Sequence, residues 1–310
     1  MWTPLVVDMA DPAAPSAISK ACQDHGFFYL ENHGIPEDVI KKVFDQSKAF
    51  FDLDLDVKIK VKDRRTHRGY KSFGSEMINT TSQAKGCTKE LIDILEDVPE
   101  SEGATSVLRG PNPWPPENLL PGWKETMTDY YFRMQTLSKR IMSLLAVSFE
   151  VEPVIFEGLC SEPTSVLRLV HYSPETSDPE SGVFACGEHS DFGLVTVLAT
   201  DDVPGLQVLV HGEWVDVPPR PGAFICNIAN MLQMWTNDRM QSAVHRVVNK
   251  LGRERFSVPF FLNPNIDSEL KCLPQFCSED NPAKYPPTTG GKLLLELFEK
   301  LNQEFDSNKE

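Results

Sequence analysis

Between residues 165 and 263 the chain breaks into short runs of strand character, with Gly, Pro, Asn and Asp between them. The runs are 165–172, 194–199, 206–210, 213–217, 223–228, 244–248 and 256–262. Regular short strands of this kind predict a sandwich or barrel. The rest of the chain has a different texture. Ala14 to His25 carries apolar residues at Ala14, Ile18, Ala21 and Cys22 and runs into Gly26, a helix-capping residue. Phe27-Phe28-Tyr29-Leu30 is an aromatic strand candidate. Pro36 opens a second helix with Glu37 and Asp38 in its first turn and Val39, Ile40, Val43, Phe44, Phe50 and Phe51 on its apolar face.

A long helix is expected over 123–149, its stripe of Met127, Tyr130, Tyr131, Met134, Leu137, Ile141, Leu144 and Leu145 facing the core. A final amphipathic helix is expected over 292–305. Residues 62–117 read as irregular. The run Gly110-Pro111-Asn112-Pro113-Trp114-Pro115-Pro116 admits no regular element. Such a segment is either a binding loop or a surface connector, and its composition fits both.

With 310 residues the chain can bury a sizeable core in one large domain or two closely joined ones. Its 30 Lys and Arg against 45 Asp and Glu leave a net charge of −15, which argues against general nucleic-acid binding and against a basic membrane-surface protein. The 7 cysteines are odd in number and scattered, so no disulfide framework is expected. No signal peptide is visible, and no apolar stretch approaches the roughly 20 residues of a membrane span. The expectation is a soluble, cytoplasmic monomer.

Two constellations carry chemistry. In His189-Ser190-Asp191 the outer residues share one face of a strand, and His245 supplies a third ligand from a neighbouring run. Two imidazoles and one carboxylate on one face of a metal leave open positions and suit non-haem Fe(II) chemistry with dioxygen. Ten residues on, Arg255-Phe256-Ser257 puts a planar guanidinium and a hydroxyl on one face, a fit for a carboxylate. In isolation an ordinary surface feature is the default reading of either tripeptide.

Order and context change that reading. Gly187-Glu188-His189-Ser190-Asp191-Phe192-Gly193-Leu194, Pro204-Gly205-Leu206-Gln207-Val208, Ser242-Ala243-Val244-His245-Arg246-Val247 and Arg255-Phe256-Ser257-Val258-Pro259 follow one another as in the 2-oxoglutarate/Fe(II)-dependent dioxygenase superfamily. The chain resembles its isopenicillin N synthase-like family. His25-Gly26-Phe27-Phe28 and Asn32-His33-Gly34-Ile35 are similar to that family's N-terminal region. The resemblance implies a mainly β fold with flanking helices around a distorted double-stranded β-helix, or jelly-roll, core. It implies an N-terminal α/β region with variable substrate-side loops over 1–117. A long helix, the jelly roll and a C-terminal helix would occupy 118–305, with a tail over 306–310.

The resemblance also implies roles. His189, Asp191 and His245 would ligate Fe(II), and Arg255 and Ser257 would hold the far carboxylate of 2-oxoglutarate. Tyr172 would contact that cosubstrate, although His171 and Ser173 depart from the flanking residues usual in plant members. With O2 the reaction would oxidise a small-molecule metabolite, by hydroxylation or by desaturation or oxidative cyclisation, releasing succinate and CO2. Secondary metabolism or hormone turnover is the expected setting. An iron oxidase that does not use 2-oxoglutarate, a non-catalytic small-molecule binder and a zinc-stabilised module stay open as alternatives. For the substrate, Arg68, Tyr70, Phe192 and Phe261 are the candidates: Tyr70 and Phe192 as apolar walls, Arg68 or Lys89 as partners of an acidic group. For the two basic residues, solvated surface charge is the competing reading.

Overall fold

The computed structural model describes residues 2–63, 68–99 and 108–297. The N-terminal part runs β1 (Leu5–Asp8), α1 (Ala14–Asp24), β2 (Phe27–Glu31), α2 (Glu37–Phe51), α3 (Leu55–Lys58), β3 (Gly69–Lys71) and β4 (Lys89–Ile94). Helices α4 (Trp123–Ser148) and α5 (Pro153–Leu159) follow. Then come β5 (Val166–Tyr172), β6 (Cys186–His189), β7 (Val195–Thr200), β8 (Leu206–Val210), β9 (Glu213–Asp216) and β10 (Phe224–Ile228). After α6 (Asn230–Trp235) lie β11 (His245–Val247), β12 (Arg255–Leu262), and the short pair β13 (Glu269–Leu270) and β14 (Thr288–Thr289).

The strands form an eight-stranded sheet, β1-β2-β10-β7-β12-β5-β4-β3, and a four-stranded sheet, β6-β11-β8-β9. All neighbours are antiparallel except β1 and β2. The two sheets are the faces of a double-stranded β-helix. Strict alternation along the strands of the larger sheet builds two separate cores. Phe28, Leu30, Ile92, Leu167, Leu169, Val197, Phe224, Val258 and Phe260 point outward into a layer closed by α1, α2 and α4. Phe27, Tyr29, Leu91, Val170, Tyr172 and Ile225 point inward to meet Cys186, Leu206, Val208 and Val247 of the smaller sheet. The stripe of α4 is buried as expected except for the half-buried Leu144, and Met127, Met134, Ile141 and Leu145 are fully so. Each such side chain contributes about 1.5–3 kcal/mol by leaving water.

Local signals behave as the residues dictate. Gly26 ends α1 at φ +71°, and its N–H donates to Ala21 O. Its lack of a side chain is required twice over, because a Cβ there would also collide with the Gln241 carbonyl. Pro36 is the N-cap of α2. The 62–117 segment is more ordered than its composition predicts, since β3 and β4 lie within it. Lys89, Glu90 and Asp93 interrupt the apolar pattern of β4, yet all six of its residues are buried. Their charges are satisfied by ion pairs with other elements, which a local hydropathy pattern does not reveal. The final helix is present at 290–297, and the remainder of the expected 292–305 span lies outside the described residues. No helix among the described residues is long and apolar enough to cross a membrane.

Candidate active site

The interior of the β-helix brings together ligands that are far apart in sequence. His245 on β11 pairs in register with His189 at the end of β6. Asp191 lies two residues beyond that strand, so it reaches the cluster from a turn and not from a shared strand face as expected. The turn is held by Asn230 N–H donating to Asp191 O. Asp191 Oδ1 stands 3.8 Å from His189 Nε2 and 3.7 Å from His245 Nε2. These separations exceed hydrogen bonds and suit donors that share one ion. Among the described residues, this is the group of three or more His, Cys, Asp or Glu whose ligand atoms converge, all within 4.8 Å.

Each ligand is oriented by a bond on its far side. His189 Nδ1 donates to Gly187 O at 2.8 Å, and His245 Nδ1 donates to Ala243 O at 3.1 Å. Both Nε2 lone pairs are thereby left for the centre. Asp191 Oδ2 accepts from Thr196 Oγ1 at 2.6 Å and from Asn227 Nδ2 at 2.7 Å, leaving Oδ1 free. Phe27 packs edge-on against the His245 ring. Burial, with His189 beside it, pushes the His245 imidazole down to about 4, so it is neutral and able to ligate near pH 7. Burial pushes the Asp191 carboxyl up, but His245, His189 and the bonds from Asn227 and Thr196 outweigh it and hold it below the ordinary range. The donor set fits Fe(II) with positions left open for a chelating cosubstrate and O2.

On the facing sheet, Lys89, Tyr172 and Arg255 form a row across β4, β5 and β12. Arg255 Nε donates to Val203 O, and the guanidinium lies 4.9 Å over the Tyr172 ring. Its Nη1 is buried with no partner among the described residues. Ser257 Oγ is 3.5 Å from Tyr172 Oη. A buried guanidinium nitrogen without an acceptor is costly unless a carboxylate completes it, so these three residues fit 2-oxoglutarate. They line a cavity of about 60 Å³ together with the His189, Asp191 and His245 cluster.

A second cavity of about 180 Å³ adjoins the first and shares His189, Asp191, Lys89, Arg168 and Phe261 with it. Phe192, Phe261, Val166, Ile78, Leu294 and Leu297 give it apolar walls. Phe192 and Phe261 thus line a cavity that also borders His189 and Asp191. Arg68 and Tyr70 do not, and the expectation for both is corrected. Arg68 is buried, and its two terminal nitrogens are committed to Glu96 O, Asn112 Oδ1 and Leu108 O, which staples the segment to itself. Tyr70 donates to Glu90 Oε2 at 2.6 Å in the outer core, on the opposite face of the sheet from the cavity. A larger hollow of about 580 Å³ around Arg109, Gln135 and Glu162 meets none of the three metal-binding candidates.

Sequence reading missed Thr196 and Asn227. Their only local signal is that each is a polar residue at an inward position of an otherwise apolar strand, β7 and β10. It also missed Glu76, Asp93 and Arg168, whose role depends on pairings across strands.

Comparison with known proteins agrees with this geometry. Residues 163–264 match the family described as 2OG-Fe(II) oxygenase superfamily, and residues 5–117 match the non-haem dioxygenase in morphine synthesis N-terminal family. Kihadalactone A synthase LFS of Citrus sinensis is 34% identical over 95% of this chain and 91% of its own length. The 2-oxoglutarate-Fe(II) type oxidoreductase hxnY of Emericella nidulans is 35% identical over 88% and 80%. The crystal structure of a full-length Neurospora crassa protein in complex with alpha-KG is similar at TM-score 0.84 and 29% identity, covering 94% of both chains.

Proposed function

This chain belongs to the 2OG-Fe(II) oxygenase superfamily, and we propose that within it His189, Asp191 and His245 hold the iron while Arg255, Ser257 and Tyr172 hold 2-oxoglutarate. The enzyme is a 2-oxoglutarate- and Fe(II)-dependent dioxygenase that oxidises small molecules. Iron, 2-oxoglutarate and O2 together supply the oxidising power when bound. The chain's own residues bind and orient. The observation that carries the assignment is the pairing of a converged His, Asp and His cluster with the unpartnered Arg255 Nη1 in one cavity. Thr196 and Asn227 fix the Asp191 carboxylate, and Gly187 O and Ala243 O fix the ring tautomers. Arg255 neutralises the distal carboxylate of the cosubstrate, where a charge-assisted bond gains from the dry surroundings.

The primary substrate then occupies the 180 Å³ cavity, against Phe192 and Phe261. Hydroxylation is the default outcome, and desaturation or ring closure depends on how the substrate lies. All seven cysteines are free thiols, which supports a reducing, cytoplasmic setting; a monomer is part of the same reading. The test is anaerobic reconstitution with Fe(II) and 2-oxoglutarate, followed by admission of O2 with a metabolite panel. Succinate formed in step with oxidised substrate is the expected result. Oxidation without succinate would replace this reading with an iron oxidase on the same fold.

A further inference from the structure

The wall of the substrate cavity carries five charged side chains, two of which, Lys89 and Arg168, also border the cosubstrate cavity. Lys71, Lys89 and Arg168 face Glu76 and Asp93. Asp93 sits opposite Arg168 in the β4–β5 ladder and takes its Nε at 2.6 Å and its Nη2 at 2.9 Å. Lys71 lies 3.3 Å from Asp93 and 3.2 Å from Glu76. Lys89 Nζ lies 3.0 Å from Glu76 Oε2. Lys89, for which solvated surface charge is the competing reading from sequence, is thus 5% exposed. Three cations meet two carboxylates, a surplus of one positive charge beside the candidate metal site when the Cys186 thiol next to Lys89 is counted as neutral. Elsewhere the charges balance: Fe(II) with Asp191, and dianionic 2-oxoglutarate with Arg255, sum to zero. Arg168 commits Nε and Nη2 to Asp93, and its guanidinium lies against the Phe261 ring at the apolar end of the cavity.

We infer that the primary substrate is an anion, a carboxylate on a compact apolar or aromatic body, held by Lys89 and Arg168 in this cavity. The inference rests on the reading of the site given above. Each cation has a carboxylate neighbour, but the cluster as a whole carries a surplus of positive charge, and an incoming carboxylate offsets that surplus while its body covers Phe192, Phe261 and Leu294. A cavity of this size holds roughly a ring and a short chain, since about 150 Å³ accommodates benzene. One internal competitor exists. Lys89 Nζ is also 3.3 Å from Cys186 Sγ, and the Cys87 hydrogen bond and the Lys89 ammonium draw the Cys186 thiol downward against burial. Cys186 lines the cosubstrate cavity and not this one, so a thiolate there would not occupy the substrate position.

The experiment is anaerobic calorimetry on the enzyme loaded with Fe(II) and saturated with 2-oxoglutarate. The probes are matched sets with one body and three head groups: 3-phenylpropionate, 3-phenylpropionamide and 3-phenylpropylamine, with the hexanoate and indole-3-propionate sets beside them. In at least one set the acid should bind about 10- to 100-fold tighter than its isosteric amide, and the amine weakest. Lys89→Met should reduce that ratio to about threefold or less. Glu76 keeps Lys71 in this variant, so no carboxylate is orphaned. Titration of 2-oxoglutarate separates the two levels: failure with the parent overturns the site assignment, whatever the probes do, and a loss confined to Lys89→Met assigns Lys89 to the cosubstrate and overturns the inference. With 2-oxoglutarate bound, acids no tighter than amides in every set, or no binding by any acid, overturns the inference. So does a preference that emerges only in Cys186→Ser, which would make the thiolate the counter-ion.

Discussion

His189 and His245 stand opposite each other in the β6–β11 ladder, and their rings meet at 4.3 Å between centroids. Their Nδ1 atoms are committed to backbone carbonyls, which turns both Nε2 atoms to the centre and suits the pair to the proposed metal-ligand role. His189→Ala, Asp191→Ala and His245→Ala should therefore each lose iron and turnover by more than about 100-fold, the upper cost of disturbing a ligand's supporting partner alone. Circular dichroism should stay that of the parent. Metal analysis checks the point, and stoichiometric iron with full activity in any of the three would sink the assignment.

The carboxylate of Asp191 is aimed by Thr196 and Asn227. Thr196→Val and Asn227→Leu each remove one donor and leave the ligand itself in place. Iron affinity, read by chelator competition, should fall about 10- to 100-fold. Unchanged affinity in both variants would mean that the loop after β6 orients Asp191 by itself.

Arg255 Nη1 has no acceptor among the described residues. Arg255→Ala should weaken 2-oxoglutarate binding by about 2–5 kcal/mol, much of it the cost of leaving the cosubstrate carboxylate unpaired. The requirement for primary substrate should move far less. Equal losses for both would argue that Arg255 supports the barrel and not the cosubstrate.

Arg68 and Tyr70 belong to the scaffold. Arg68→Ala removes a buried guanidinium bonded to three acceptors and should cost about 3–5 kcal/mol of stability. Tyr70→Phe deletes one donor to the Glu90 carboxylate and should cost about 1.5–3 kcal/mol. Denaturant unfolding measures both. The KM for primary substrate in the folded fraction should match the parent, and a specific rise would return these residues to the substrate site.

Acid sensitivity follows from Glu76 and Asp93. Burial raises both carboxyls, but Lys89 and Lys71 at Glu76, and Arg168 and Lys71 at Asp93, outweigh it and hold both below their ordinary values. Their stabilising contribution is complete above the unfolded value of about 4 and is lost as pH falls through the lower folded value. Melting temperature should hold from about pH 7 to about pH 5 and fall steeply below about pH 4. In Lys71→Met/Lys89→Met the decline should begin at higher pH. Coincident profiles would place the acid transition elsewhere.

The sequence by itself determined the pieces that depend on local periodicity. The strand runs of 165–262, the capped helices and the order of His189, Asp191, His245 and Arg255 are all present as expected. Alternation along β12 sets Arg255, Ser257 and Phe261 inward and Phe256 outward, where it stacks on His171. Face selection is a property of one strand and needs no partner. Tertiary structure decided what each polar side chain meets. Lys89 and Arg68 read alike as basic residues in an irregular segment, yet one borders the cavity beside the metal site and the other is spent on backbone carbonyls. The difference lies in strands and loops distant in sequence: Arg168 and Asp93 join across β5 and β4, and Asn112 reaches Arg68 across 44 residues. A buried charge is tolerated only where such partners arrive, and their arrival is set by sheet register and packing, not by spacing along the chain.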